Sequence, residues 1–256
     1  MFVCALLLFI GLLLWKMWAS KTQPHTIPKN IFQTHKSLEY VQANEHLTNA
    51  TDSWKQNNSF AYHFYNDQQM DVFMQNRYQG TRWLDAYNRL QKRVMKTDFW
   101  RYCVVYEFGG IYADADSICL RNPETVFINS KTNQKEIVVV HENDLKMFCQ
   151  WVFAAPKESP AIRSVIDRMT DSILSMSSSE LEKPTEQEVF DLTGPVIFSK
   201  GIREYIKQAE HIEHEHTRDY KTSQTMFVFP NARDFHANVV RHMFMGGSTE
   251  GWKNTL

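Results

Sequence analysis

The sequence predicts an α/β domain, and three observations carry that prediction. Strand-like apolar runs alternate with amphipathic helical stretches from residue 27 onward. One run, EIVVVHEN at 136–143, is apolar through its centre, as a strand covered on both faces must be. A dense aromatic stretch runs into the pair Gly109-Gly110 and then into a short strand, as glycine past a helix end permits.

Taken in order, residues 2–18 (FVCALLLFIGLLLWKMW) carry one charge, Lys16. They sit at the short limit of a membrane-spanning helix, for which about 20 residues are typical. Trp15 and Trp18 suit an interfacial aromatic belt. We expect an uncleaved transmembrane anchor over 1–19 and a short polar stem over 20–26. A cleaved signal peptide is the main rival, with a poor small-x-small site, and a buried helix is the third reading. Residues 27–256 read as one domain without repeat or linker. IPKNIFQTHK reads as a strand centred on Ile31 and Phe32, residues 40–57 as a helix, and SFAYHFYND as a strand ending at Asp67. Helices follow at 68–78 and 81–93, then a buried one in KTDFWRYCVVYEFGG. Ile111-Tyr112-Ala113 begins a strand; 136–143 and CQWVFAAP are two more. PAIRSVIDRMTDSIL is an amphipathic helix, Thr193-Gly194-Pro195 opens another near 196–208, and MFVFP is a last strand before a mostly irregular tail.

Composition narrows the classes. The chain has 256 residues, 43% of them hydrophobic, and a net charge of -1, so nothing points to nucleic acid. Four cysteines without a CxxC spacing make neither a disulfide framework nor a structural zinc site. Lys16, Lys21 and Lys29 follow the apolar segment and no charge precedes it, which by the positive-inside rule puts the domain in the cytosol. The sequons Asn49-Ala50-Thr51 and Asn57-Asn58-Ser59 lean towards a lumen instead.

The chemistry is concentrated around Asp114 and Asp116. Two ionised carboxylates held close repel unless a cation lies between them. A hard divalent ion, Mn²⁺ or Mg²⁺, suits oxygen ligands and brings a diphosphate with it. Such a pair on its own is more often a surface turn, and it is a weak signal by itself. Asp98 and Arg101 lie three apart on one face of the preceding aromatic helix, where an uncompensated charge is costly. They form either an intrahelical salt bridge or a site in which Arg101 meets phosphate or sugar oxygens and Asp98 accepts sugar hydroxyls.

The run TDFWRYCVVYEFGGIYADAD resembles the DXD glycosyltransferases of the family that includes the yeast initiation-specific α-1,6-mannosyltransferase and the inositol phosphoceramide mannosyltransferases. Similar spacing occurs in the glucosylating clostridial toxins. Asp98, Arg101, Tyr112, Asp114 and Asp116 fit the pattern throughout. The resemblance extends to IPKNIFQTHKS, where the family holds a donor base and often has a Trp; here His35 stands there. Thr193-Gly194-Pro195 resembles a further block. The closing stretch RHMFMGGSTEGWKN departs from the family's pattern, with its Trp displaced to Trp252. His242, Ser248 or Glu250 is then left to complete the metal shell, with His242 and Ser248 preferred, and Trp252 to stack on sugar or diphosphate.

The resemblance implies a GT-A fold, a Rossmann-like sandwich with the DxD at a strand end. It implies transfer of a hexose, mannose favoured, from a nucleotide sugar with retention of configuration. GDP-mannose is the favoured donor, a UDP-hexose the second, and the acceptor a glycan or glycolipid. It also implies a type II Golgi or endoplasmic reticulum protein with a lumenal domain. Two rivals remain: an inactive carbohydrate-binding relative, and a metal-dependent phosphohydrolase using Asp114 as nucleophile. Weaker candidates are His141, Glu142, Asn143, Asp144 and Gln150 at strand ends for sugar or acceptor contact. HIEHEH at 211–216 matches no metal spacing and reads as a solvated loop, and Tyr62, Phe64 and Tyr65 read as core.

Overall fold

In the computed structural model the described residues are 26–142, 147–210, 223–229 and 232–245. The eight strands among them are β1 (Asn30–Thr34), β2 (Ala61–Tyr65), β3 (Gly110–Ala113), β4 (Ser117–Cys119), β5 (Ile137–Val140), β6 (Val152–Ala155), β7 (Met226–Phe229) and β8 (Val240–His242). Six of them form a sheet in the order β2-β1-β3-β6-β5-β7, and β4 pairs with β8 in a separate ribbon. β1 runs parallel to β2 and β3, and β5 parallel to β7, while β6 is antiparallel to both of its neighbours. The sheet is therefore mixed but mostly parallel. The ends of β1, β3 and β5 and the entrance to β6 share one edge.

Strand periodicity divides the interior in two. Phe32, Tyr112, Val139 and Phe153 point into one apolar core, with Trp100, Val104, Val165 and Phe198 from the helices. Ile31, Ile111, Ala113, Val138, Val140, Val152 and Ala154 point into the other, with Trp54 and Phe235. This is why β5 and β6 are apolar without alternation: both faces are covered. The helix Arg93–Phe108 lies in the first layer. It ends at Gly109, which adopts φ +66, and Gly110 follows at φ +130.

Several boundaries differ from the sequence reading. The helix expected over 40–57 is two, Leu38–Gln42 and Glu45–Lys55, because the Asn44 side chain accepts from Leu47 N and starts a new helix. The strand expected to reach Asp67 stops at Tyr65, since Asn66 and Gln69 form a capping box for Asp67–Tyr78. The 81–93 stretch ends at Arg89, and the buried helix begins at Arg93 rather than 96. The tail expected to be irregular carries the helix Ala232–Asn238 and β8. The aspartate pair is not on a continued strand: Asp114–Asp116 is the turn between β3 and β4, with Ser117 N donating to Asp114 O at 3.0 Å.

Cys103, Cys119 and Cys149 are all free and buried. The anchor expected over 1–19 lies outside the described residues, among which no helix is long and apolar enough to cross a membrane.

The glycine pair sets the entry to β3. A Cβ at Gly110 would lie 2.6 Å from Asn30 O and 2.8 Å from Asn30 Cβ on the neighbouring strand. Gly110→Ala is expected to cost about 2–4 kcal/mol, from steric overlap added to an unfavourable φ. In a thermal melt this reads as a fall in Tm of roughly 5–15 °C. An unchanged melt would show that β1 and β3 are not packed this closely.

Candidate active site

Strand parity builds the site. Tyr112 and Asp114 share one side of the chain, the side that faces the helix Arg93–Phe108. The Tyr112 hydroxyl donates to Asp114 Oδ1 at 2.6 Å. Gln33, fully buried in β1, donates from Nε2 to Asp114 O at 3.0 Å. β4 is held from outside by the helix Glu45–Lys55: Trp54 Nε1 donates to Ser117 O at 2.9 Å and Cys119 N to Ser53 Oγ at 2.8 Å.

The β4–β8 ribbon then brings the far end of the chain to the aspartates, with Ser117 opposite His242. Met243 N donates to Asp116 O at 2.9 Å and Met245 N to Asp116 Oδ2 at 3.0 Å. One oxygen of each carboxylate is thus engaged, Oδ1 of Asp114 and Oδ2 of Asp116. The other two face His242, whose Nε2 lies 3.5 Å from Asp114 Oδ2 and 3.2 Å from Asp116 Oδ1. Those distances suit ion pairing, but the angles leave Nε2 buried without a hydrogen bond.

This donor set fits a divalent cation. One ligand atom from each of Asp114, Asp116 and His242 lies within 4.8 Å of the others. Ligands at about 2.1 Å from a common hard ion are separated by roughly 3–4 Å. The two carboxylate oxygens suit a hard divalent ion and the imidazole nitrogen a borderline one, so the set admits Mn²⁺ and also Zn²⁺ or Fe²⁺. Asp114 stays ionised: burial pushes its carboxyl up, but Arg101, His242 and Tyr112 hold it below the usual carboxylate range. Burial opposes the charge on His242, yet Asp114 and Asp116 raise its pKa to about 9.

Behind the cluster lies a buried network. Arg101, 5% exposed, reaches Asp98 Oδ1 at 2.9 Å and Asp114 Oδ1 at 3.5 Å through Nη2. Its Nη1 donates to Gln150 O at 3.2 Å, and its guanidinium lies 4.7 Å above the Tyr112 ring. Burial works against the Arg101 charge and is outweighed by Asp114, Tyr112 and Asp98. Asp98 is 2% exposed. Its Oδ2 accepts from Thr193 Oγ1 at 2.9 Å and its Oδ1 from Gln150 Nε2 at 3.3 Å. Burial pushes the Asp98 carboxyl up, against Arg101 and Thr193. Gln150 is itself gripped by the Tyr102 hydroxyl. Both oxygens of Asp98 are therefore occupied by protein groups, and the intrahelical salt bridge is present.

His35 follows β1 and stacks on Tyr40, with ring centroids 4.8 Å apart. Its Nδ1 is buried without a partner, and burial and then Lys36 hold its pKa below the ordinary value. His141 is buried and stacks on Phe148. Ser248, Glu250, Trp252, Asn143, Asp144 and the 211–216 tract lie outside the described residues. Four site residues had no functional reading from sequence: Gln33, Trp151, Thr193 as a partner of Asp98, and His236. A glutamine inside an apolar strand was a usable signal for Gln33. Trp151 sits 4.9 Å from His242 and 4.8 Å from His236, centroid to centroid, and nothing local in the sequence announces that.

Comparison with known proteins bears on this geometry. The family profile described as "Glycosyltransferase sugar-binding region containing DXD motif" matches residues 26–153. An initiation-specific α-1,6-mannosyltransferase of Candida albicans is 27% identical over 204 residues, covering 70% of this chain and 53% of that protein. The protein of the same name from Schizosaccharomyces pombe is 27% identical over 197 residues, covering 70% of this chain and 49% of its own length. The chain thus spans about half the length of these curated relatives. Among solved structures, the PaToxG glycosyltransferase aligns with a TM-score of 0.54 at 20% identity over 75% of each chain, a likeness of fold.

Two measurements test the site. Thr193→Val removes the hydroxyl from Asp98 Oδ2 and keeps the side-chain volume, so it should cost about 1–3 kcal/mol in chemical denaturation. An unchanged midpoint would mean that the bond contributes nothing. Cation binding must expel a proton from His242, whose pKa of about 9 keeps it protonated at neutral pH. Apparent Mn²⁺ affinity should therefore rise about tenfold per pH unit from pH 7 and level off near 9. A flat profile by calorimetry would remove His242 from the ligand set.

Proposed function

Because the chain belongs to the family of glycosyltransferases whose sugar-binding region contains a DXD motif, we propose that it is a metal-dependent hexosyltransferase. It moves a hexose from a nucleotide sugar to a glycan or glycolipid with retention of configuration. The observation that carries this reading is the convergence of Asp114 Oδ2, Asp116 Oδ1 and His242 Nε2 on one point. Mannose is the favoured sugar and GDP-mannose the favoured donor, supported by the mannosyltransferase names of the curated relatives; a UDP-hexose is the second choice.

Asp114, Asp116 and His242 would hold Mn²⁺ or Mg²⁺, which when bound supplies positive charge to a diphosphate leaving group. The protein's own residues do the rest. Arg101 keeps Asp114 ionised and aimed, and Asp98 with Gln150 and Thr193 keeps Arg101 in place. This is a positioning role for both, since Asp98 is closed off by its partners. Asp98 is for the same reason unsuited to be a covalent nucleophile, which supports a front-side transfer in which the leaving phosphate oxygen takes the acceptor's proton. His35, partly buried beside Tyr40, is the proposed base contact, and Tyr112 orients Asp114. Ser248 and Trp252 keep their proposed parts in metal binding and donor closure. A phosphohydrolase of this kind would carry its aspartate pair near the first strand, whereas here β1, β2 and the helix Arg93–Phe108 all come first.

For location we propose an N-terminal anchor and a domain in the Golgi or endoplasmic reticulum lumen. The apolar composition of 2–18 and the exposed sequon residue Asn49 support this.

The test is Mn²⁺-dependent turnover across a panel of GDP- and UDP-sugars by the full-length protein. Asp116→Asn should lower the rate at least a hundredfold, the scale of losing charge stabilisation at a leaving group. No turnover and no donor binding in the wild type would end the enzyme reading. Full activity in Asp116→Asn would end the metal role.

A further inference from the structure

Past His242 the chain does something costly. Phe244 adopts φ +55, a left-handed backbone that a bulky residue rarely accepts, and the residue is 61% exposed. The ring is not loosely placed. The amides of Met243 and Met245 on either side are anchored on Asp116, by its carbonyl and by Oδ2. One face of the Phe244 ring lies along His236, with centroids 5.4 Å apart and planes 14° from parallel. Its edge meets His242 at 4.4 Å and 70°. Trp151, nearly buried, backs both histidines. The outcome is a rigid aromatic face presented to solvent within contact distance of a proposed metal ligand. Backbone strain held in place by surrounding bonds, next to a site, points to use.

We infer that Phe244, stacked on His236 and backed by Trp151, is the platform on which the acceptor's sugar ring lies. The inference rests on the transferase reading above. An aromatic face takes the C–H face of a pyranose by apolar contact, while the sugar's hydroxyls stay free for the polar cluster alongside. Either an acceptor sugar or the donor's own hexose presents such a face. The position favours the acceptor. Gln33 of β1 reaches the Asp114 carbonyl at 3.0 Å, and Arg101 meets the Asp114 carboxylate from the buried helix. Phe244 stands on the β8 side, beyond His242. A donor bound along β1 and the aspartates leaves the β8 side for the second sugar.

The experiment uses the full-length protein with Mg²⁺ and two probes, α-1,6-mannobiose and GDP-mannose, with binding read by saturation-transfer NMR and titration. The wild type should bind mannobiose. Phe244→Ala should weaken that binding about five- to tenfold, the scale of one lost aromatic stack, and Phe244→Trp should retain it. If Phe244→Ala does not fold, Phe244→Leu keeps the bulk without the flat face and carries the same expectation. Three results would each overturn the platform: no mannobiose binding by the wild type, equal binding by Phe244→Ala or Phe244→Leu and the wild type, or a loss of GDP-mannose affinity as large as the loss for mannobiose. The last would put the ring under the donor. Donor turnover by the wild type separates the two readings: turnover without mannobiose binding removes the platform and leaves the transferase.

Discussion

A guanidinium buried between two carboxylates is the constraint around which the site is arranged. Arg101 has Asp98 on one side and Asp114 on the other, and almost no access to water. Taking such charges out of water costs several kcal/mol each unless partners replace the solvent. The partners are drawn from distant parts of the chain: the Gln150 carbonyl, the Thr193 hydroxyl, the Tyr112 ring and hydroxyl. Each of these groups has its position fixed by an element with its own reasons to be there. Removing any one leaves a buried charge short of a partner, so the arrangement resists partial loss. It also explains how Asp114 stays ionised close to Asp116. The positive charge behind it offsets the repulsion in front.

The sheet makes that arrangement possible by its mixed direction. β1 and β3 deliver Gln33, His35 and Asp114 at their exits, and β6 delivers Gln150 at its entrance because it runs the other way. The alternation that sends Phe32 and Tyr112 into one core and Ile31 and Ile111 into the other fixes which side Asp114 faces. A slip of one residue in β3 would turn Asp114 away from Arg101. Gly109 and Gly110 hold that register, since neither the turn nor the close approach to Asn30 admits a side chain.

Much of this could be read from the sequence, for identifiable reasons. The alternating elements, the buried run at 137–140 and the reversal at the glycine pair are local signals, set by residues within a few positions of each other. Asp98, Arg101, Tyr112, Asp114 and Asp116 were legible because charged groups in an aromatic helix and paired carboxylates are anomalies in place. His242 was one of several options, and its meeting with the aspartates depends on the pairing of β4 with β8, which no local pattern encodes. Asp98 was legible as a site residue, but its partners were not. Its spacing from Arg101 fits a salt bridge or a ligand contact equally, and the difference lies in Thr193 and Gln150, far away in sequence. The helix break at Asn44 was missed, and the strand end before Asn66 placed late, because in both places a capping side chain decides the boundary.

The β4–β8 ribbon has a further consequence, for the order in which the molecule comes together. The bond from Met245 to Asp116 joins residues 129 apart in the chain. Contacts of that separation close late, since a long loop must be ordered before they form. On a chain emerging from the ribosome, the turn at 114–116 is made long before its partners exist. Until residues 240–245 arrive, Asp116 has neither the Met243 and Met245 amides nor His242 beside it. A chain still lacking β8 can thus hold most of its core while the three-residue cluster is still two residues, which ties competence to the arrival of that strand.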